Sequence, residues 1–199
     1  MTKSVITIRY ATIDDAENVA SFRIEQFKSA KEFQIIDLNA VGKQRGKIFI
    51  AEIDEEIIST IQMEVINDGV VFEKIATCLI PENFKSYKTI YLSKGACAKE
   101  YRNIGLNSFL RMLILQDAIK NENILSLSGT AYSDAPRINL LKKLGYKLVE
   151  IPPNLNYAIP LGKELFLCLK REKFNTAYKL LQDETQELES NYTINVQIN

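Results

Sequence analysis

The sequence predicts a mixed α/β domain in which helices flank one central sheet. Three observations carry this reading. Strand-like and helix-like hydrophobic patterns alternate along the chain, in the order β, α, a weak second α, β, β, a long loop, β, α, β, α, β, β, α. One stretch, Tyr91–Gln116, reads as a strand, a short turn and a long helix, YLSKGACAKEYRNIGLNSFLRMLILQ. A chain of 199 residues also suits one domain with an extension and is long enough for a full core. The expected division is a domain over residues 1–170 and a helical extension over 171–199 packed on it.

Taken in order, Val5–Tyr10 is β-branched and alternating, so it reads as the first strand. Thr12-Ile13-Asp14-Asp15 resembles a capping box with aspartate in place of glutamate, and a helix follows with Ala16, Val19, Ala20 and Phe27 at helical spacing. Lys31–Gln44 holds a weaker helical pattern that ends near Gly42. Lys47–Glu52 and Ile57–Ile66 read as paired strands joined through Asp54-Glu55-Glu56. Asn67–Thr89 has no clean period, yet its aliphatic and aromatic residues argue against a disordered linker.

Tyr91–Ala98 is the next strand, with Gly95 a candidate bulge. The following helix places Leu106, Phe109, Leu110, Leu113 and Ile114 on one face. Ile124–Ser128 is a short strand and Ser133–Leu144 a helix that Gly145 terminates. Tyr146–Ile151 and Glu164–Lys170 are strands, and Glu172–Leu188 is a terminal helix. Asn191–Asn199 is either a frayed tail or a short edge strand.

Composition narrows the chemistry. The 46% hydrophobic and 25% charged fractions are those of a soluble globular protein. Lys+Arg and Asp+Glu both total 25, a balance that argues against a nucleic-acid partner. No apolar run reaches membrane-spanning length, and Met1–Ser4 leads straight into a strand pattern, so a cytoplasmic protein without a membrane partner is expected. The three cysteines, Cys78, Cys97 and Cys168, form no C-x-x-C pair, and Cys97 and Cys168, which sit inside apolar runs, read as buried small hydrophobes. Histidine is absent, which removes Ser-His-Asp and Cys-His mechanisms and the usual zinc sites, so no metal is expected. Proton transfer must then use a carboxylate, a tyrosine, a lysine, water or the substrate.

The turn between strand and helix is where function is most legible. Backbone N–H groups that open a helix lack intrahelical acceptors and lie at the positive end of its dipole, a ready anion site. Arg102-Asn103-Ile104-Gly105-Leu106-Asn107 resembles the R/Q-x-x-G-x-G/A signature of the GCN5-related N-acetyltransferases. Lys99-Glu100-Tyr101 before it is similar to that family's P-x-Y, and Leu140–Tyr146 resembles its l-Y-e-k-l-G-F segment.

The resemblance implies a mostly antiparallel sheet splayed in the middle, where Tyr91–Ala98 and Ile124–Ser128 part to admit the pantetheine arm of acetyl-CoA or another acyl-CoA. The main chain at Ala96 and Ala98, with Cys97 between them, would pair with that arm. The N–H groups of Asn103, Ile104, Gly105, Leu106, Asn107 and Ser108 would cradle the pyrophosphate beside Arg102, and Asn139 joins the implied cofactor contacts. A Cβ at Gly105 would keep the backbone from the phosphates, so Gly105→Val is expected to weaken CoA binding while leaving the fold intact.

Departures from the pattern matter too. Asn107 replaces a small residue, and Leu141 stands where many members carry a tyrosine that protonates the leaving thiolate. Tyr132 or Tyr146 are candidate replacements, and Glu64 is the leading carboxylate base, ahead of Glu52 and Glu73. The acceptor implied is a small-molecule amine that attacks the thioester directly.

Tyr91–Cys97 also resembles the E-x-S-R-x-x-V strand of N-acyl amino acid synthases and acyl-homoserine lactone synthases. Tyr91 stands for their glutamate and Lys94 for their arginine. That branch implies a fatty-acyl donor on an acyl carrier protein. A non-catalytic acyl-CoA-binding module is the third alternative, and a homodimer is compatible with each.

Overall fold

The computed structural model describes residues 3–27, 46–66, 88–131, 135, 137–150 and 165–198. The helical pattern over Lys31–Gln44, most of Asn67–Thr89, and Tyr132 lie outside the described residues. In chain order the first elements are β1 (Val5–Tyr10), α1 (Ala16–Phe27), β2 (Lys47–Ile53), β3 (Glu56–Ile66) and β4 (Lys88–Cys97). There follow α2 (Leu106–Lys120), β5 (Ile124–Ala131), α3 (Ile138–Lys143), β6 (Lys147–Glu150), β7 (Leu165–Lys170), α4 (Phe174–Asn191) and β8 (Thr193–Gln197). The mixed α/β class expected from the sequence is the class observed. No described helix is long and apolar enough to cross a membrane.

The chain forms two compact units. Met1–Glu64, Ser93–Leu113 and Leu181–Asn199 make the first, and Val65–Leu92 with Ile114–Leu180 the second. In the first, the strand order is β4-β3-β2-β1-β8. The pairs β1–β2 and β2–β3 are antiparallel, whereas β8 runs parallel to β1 with Val5 opposite Thr193. The β2–β3 hairpin turns on Asp54 and Glu55, with φ of 49° and 67°. Two successive positive φ values give the turn a twist that matches the strands it joins. Val19 and Phe22 of α1 pack on Ile48, Ile50, Ile57 and Ala96.

Thr12 and Asp15 form the expected capping arrangement: the Thr12 N–H and hydroxyl both donate to Asp15 Oδ2, at 2.7 and 2.9 Å. Arg9 reaches both oxygens of Asp15 at 2.8 Å and both oxygens of Glu52 at 3.0 Å. Hydrogen bonds from Arg9 first, then from Thr12, hold the Asp15 carboxyl down to about 2. The ordinary aspartate value is near ~3.9, so the ionised contact stabilises the fold fully above about pH 4 and is lost as pH falls through about 2. Asp15→Asn is therefore expected to flatten the acid limb of stability over that window. Urea midpoints of both chains between about pH 2 and 5 check it; parallel curves would rule the contact out as the source.

In the second unit the order is β6-β7-β5-β4, with β5–β7 and β6–β7 antiparallel and β4–β5 parallel. The β4–β5 register runs from Lys88 to Leu92 and ends at Leu92 opposite Gly129. A Cβ on Gly129 would lie 2.8 Å from the Leu92 carbonyl oxygen, so a side chain would force the paired backbones apart. Gly145, with φ of 89°, ends α3: its N–H donates to Lys142 O, and the Tyr146 N–H donates to Leu141 O, both at 3.0 Å. This is the left-handed cap expected there. Arg171 follows β7, and its guanidinium donates to four carbonyls near the end of α2: Ala118, Ile119, Asn121 and Ile124, at 2.8 to 3.1 Å.

Several expectations change. The buried positions of α1 are Val19, Phe22 and Arg23, while Phe27 is exposed, so the inward stripe turns away from Ala16–Ala20–Phe27. Helix α2 is buried well beyond one stripe, including Ser108, Arg111, Met112, Leu115 and Ala118, while Leu113 is only half-buried. Within the segment read as either a frayed tail or an edge strand, Thr193–Gln197 forms edge strand β8.

Candidate active site

The end of β4 and the turn after it carry the candidate site. Ala98 N–H donates to Ile58 O at 2.8 Å, and Ser59 Oγ donates to Ala96 O at 2.7 Å. Backbone polar groups alternate sides along a strand, so Ala96 and Ala98 are turned toward β3. Gly95 and Cys97 therefore present their main chain to the opposite edge. Ala98 N–H and Ala96 O, which the resemblance assigned to a ligand, thus have partners on β3, while Ala98 O accepts from the Tyr101 N–H at 3.0 Å. The unusual backbone conformation in β4 falls one residue earlier than the glycine that the sequence suggests. Lys94, not Gly95, carries the positive φ, 50°.

Lys99–Tyr101 is a single 3-10 turn, after which Asn103 and Gly105 adopt φ of 65° and 87°. The Phe109 N–H donates to Gly105 O at 2.9 Å. The N–H groups of Leu106, Asn107 and Ser108 precede that bond and have no acceptor within the helix. The arrangement is a short cradle of donors at the positive end of α2. Gly105 has a second role here: a Cβ on it would lie 2.6 Å from the Glu184 carbonyl oxygen of α4. The turn is packed directly on that helix's backbone, which changes the expectation that Gly105→Val leaves the fold intact.

The other turn residues are held by their neighbours. Arg102 donates from Nε to Cys97 O at 3.0 Å and from a terminal nitrogen to Gln26 Oε1 at 3.1 Å, which ties the turn to α1. Asn107 Oδ1 accepts from Arg111 Nε at 3.0 Å, and Ser108 is buried. The Cys97 thiol donates to Tyr101 O at 3.2 Å, and burial first of all pushes its pKa up, so it is no thiolate nucleophile.

Next to this strand the structure gathers polar groups that the sequence did not bring together. Arg23 of α1 is fully buried and donates to Thr60 Oγ1 at 3.3 Å and Gln62 Oε1 at 3.1 Å. Gln62 Nε2 donates to Glu64 Oε1 at 2.8 Å, and Thr60 Oγ1 donates to Lys94 O at 3.4 Å. Glu64 is thus the outer member of a row Thr60–Gln62–Glu64 on β3. Desolvation lowers the Arg23 pKa to about 10. Desolvation first, and then the Arg23 charge, lower that of Lys94 to about 8. The signal for Arg23 was present: a cation sits at the position after Phe22 on the inward face of α1.

In the second unit, Leu141 is buried at 1% exposure and Tyr146 is buried too, while Asn139 is exposed on α3. Leu141 serves the core there.

The family model described as acetyltransferase (GNAT) family matches residues 11–146, which spans every element from α1 to α3. The chain belongs to that family. The Arg102–Asn107 hexapeptide lies within the matched residues, and the expectation of GNAT membership drawn from it holds. No protein of curated function matches it.

Solved structures agree on the GNAT fold. An uncharacterized protein from Bacillus halodurans aligns at TM-score 0.63 and 16% identity, over 90% of this chain and 91% of that one. NAA60 from Arabidopsis thaliana, solved in complex with acetyl-CoA, aligns at TM-score 0.63 and 14% identity over 84% of this chain and 99% of that one. Polyamine N-acetyltransferase from Drosophila melanogaster aligns at TM-score 0.62 and 12% identity, over 83% and 99%.

Proposed function

We propose that this GNAT chain transfers an acetyl or other short acyl group from a CoA thioester to an amine, by direct attack within a ternary complex. The observation that carries the reading is the Arg102–Ser108 turn, in which left-handed Asn103 and Gly105 turn the chain into the start of α2. The pyrophosphate lies on the N–H groups there. The pantetheine runs back along β4 past Cys97 and Gly95, the two residues whose main chain faces away from β3. Catalysis comes from holding the amine and thioester together and from strand N–H groups that polarise the carbonyl.

Acetyl-CoA is the favoured donor because NAA60 was solved in complex with it. Thiol release measured across acyl chain lengths and amine acceptors tests the reading. Turnover with acetyl-CoA supports it, and a preference for long chains or for acyl carrier protein would move the chain to the synthase branch. Tight CoA binding without turnover would make it a binding module.

Arg102→Ala is expected to weaken CoA binding about tenfold at low salt and less at high salt, because a charge near phosphate is screened. Calorimetry at two ionic strengths measures this, and an equal loss at both would assign Arg102 to holding Cys97 and Gln26 alone.

A further inference from the structure

We propose that Arg111, together with Asn107, binds the diphosphate of the acyl carrier, an assignment that rests on the acyltransferase reading above. Asn107 departs from the Gly/Ala of the family signature, and Arg111 follows it one turn along α2.

Residues four apart lie on one face of a helix, and helical side chains lean toward the N-terminus. The Arg111 side chain therefore runs back over the first turn of α2, where its Nε donates to Asn107 Oδ1 at 3.0 Å. Arg111 is only 8% exposed. Among the described residues its two terminal nitrogens donate to nothing, and it forms no ion pair. Neither of those nitrogens is sealed from solvent, so a buried stem carries an open, charged tip to the start of the helix. A guanidinium keeps its charge, and burial without a counter-charge is costly, so the position favours an anion.

Asn107 is turned to the same task. A guanidinium only donates, so the Asn107 atom that faces Arg111 is the amide oxygen. The amide NH2 is left pointing elsewhere and, among the described residues, donates to nothing. The N–H groups of Leu106, Asn107 and Ser108 precede the first helical bond, from the Phe109 N–H to Gly105 O. All of these groups are donors. Donors gathered around a fixed cation select a polyanion over a neutral polar group.

In the reading above the diphosphate lies on those same N–H groups, which brings it to Arg111. Arg102, the signature's own cation, is exposed and engaged by Cys97 O and Gln26 Oε1. Solvent screens its charge more than that of the buried Arg111. Arg111 is therefore the larger electrostatic contributor.

The test measures binding of CoA and dephospho-CoA to the full chain by calorimetry. Dephospho-CoA keeps the diphosphate and lacks the 3′-phosphate. Arg111→Gln retains a donor for Asn107 Oδ1 and removes the charge. Both ligands are expected to bind it about thirtyfold more weakly, with a urea midpoint like that of the wild type. The loss is expected to persist at high salt, unlike that of Arg102→Ala, because a buried pair is screened little. Arg111→Lys keeps the charge and is expected to come within about fivefold of the wild type.

Unchanged affinity in Arg111→Gln, or a lysine variant as weak as the glutamine one, overturns the proposal. A loss confined to CoA moves the contact to the 3′-phosphate and overturns it as well, as does a loss that vanishes at high salt. Should the glutamine variant fail to fold, the Arg111 guanidinium resonances of the wild type decide. They are expected to shift with both ligands, and no shift with either overturns the assignment. In each of these cases the transferase reading stands. A wild type that binds neither ligand overturns both.

Discussion

Gly105→Val is expected to cost the chain both stability and CoA affinity. The glycine sits at φ of 87°, where an L side chain is strained, and its Cβ would lie 2.6 Å from the Glu184 carbonyl oxygen. That oxygen belongs to helix backbone and cannot swing aside as a side-chain tip would. Strain and overlap together are expected to cost about 3 kcal/mol. A displaced turn also misaligns the N–H donors at the start of α2, so CoA affinity should fall more than tenfold. Urea unfolding and calorimetry on the same variant read the two effects. Full stability with lost affinity would mean that the turn does not rest on α4, and unchanged affinity would remove the pyrophosphate assignment.

The second large effect is expected at Arg171. One guanidinium serves four carbonyls around the C-terminal end of α2, among them groups that no helical N–H can reach. The positive charge also lies at the negative end of the helix dipole. Arg171→Ala removes a donor from all four, though Asn121 O keeps the Ile124 N–H, and is expected to lower unfolding free energy by about 3 kcal/mol. Arg171→Lys should recover only part of this, because a single ammonium cannot span the same acceptors. Denaturant midpoints for the two variants check the order. If alanine and lysine prove equal to the wild type, the clamp is not stabilising.

How much of this was readable from residue order depends on the local pattern. Val5–Tyr10 and the Lys47–Ile66 hairpin were legible because β-branched residues alternate with few interruptions. The cap at Gly145 was legible because a glycine after a helical run has one common use. Helix α2 defeated the stripe reading. Residues such as Arg111 and Ser108 are buried through neighbours distant in sequence, and periodicity carries no trace of those neighbours.

Strand β8 was left open because Thr193–Gln197 is mostly exposed and its hydrogen-bond partner, β1, lies at the other end of the chain. The site divided along similar lines. The Arg102–Asn107 signature is local and could be read. The β3 contacts of Ala96 and Ala98, the left-handed backbone at Lys94 and the row from Arg23 to Glu64 depend on which elements lie alongside. Those relations had to be seen.

The support under Gly105 has a consequence for the order of folding. Residues Leu181–Asn199 join the first unit, and β8 pairs in parallel with β1. During synthesis the whole signature at Arg102–Asn107 emerges long before the helix that underlies it. A pairing between segments so far apart along the chain closes late and slowly. A chain cut before Leu181 would therefore still carry every recognisable family residue, yet the turn at Gly105 would have no floor. The shape of the Arg102–Ser108 turn is thereby coupled to synthesis of the α4 segment beneath it.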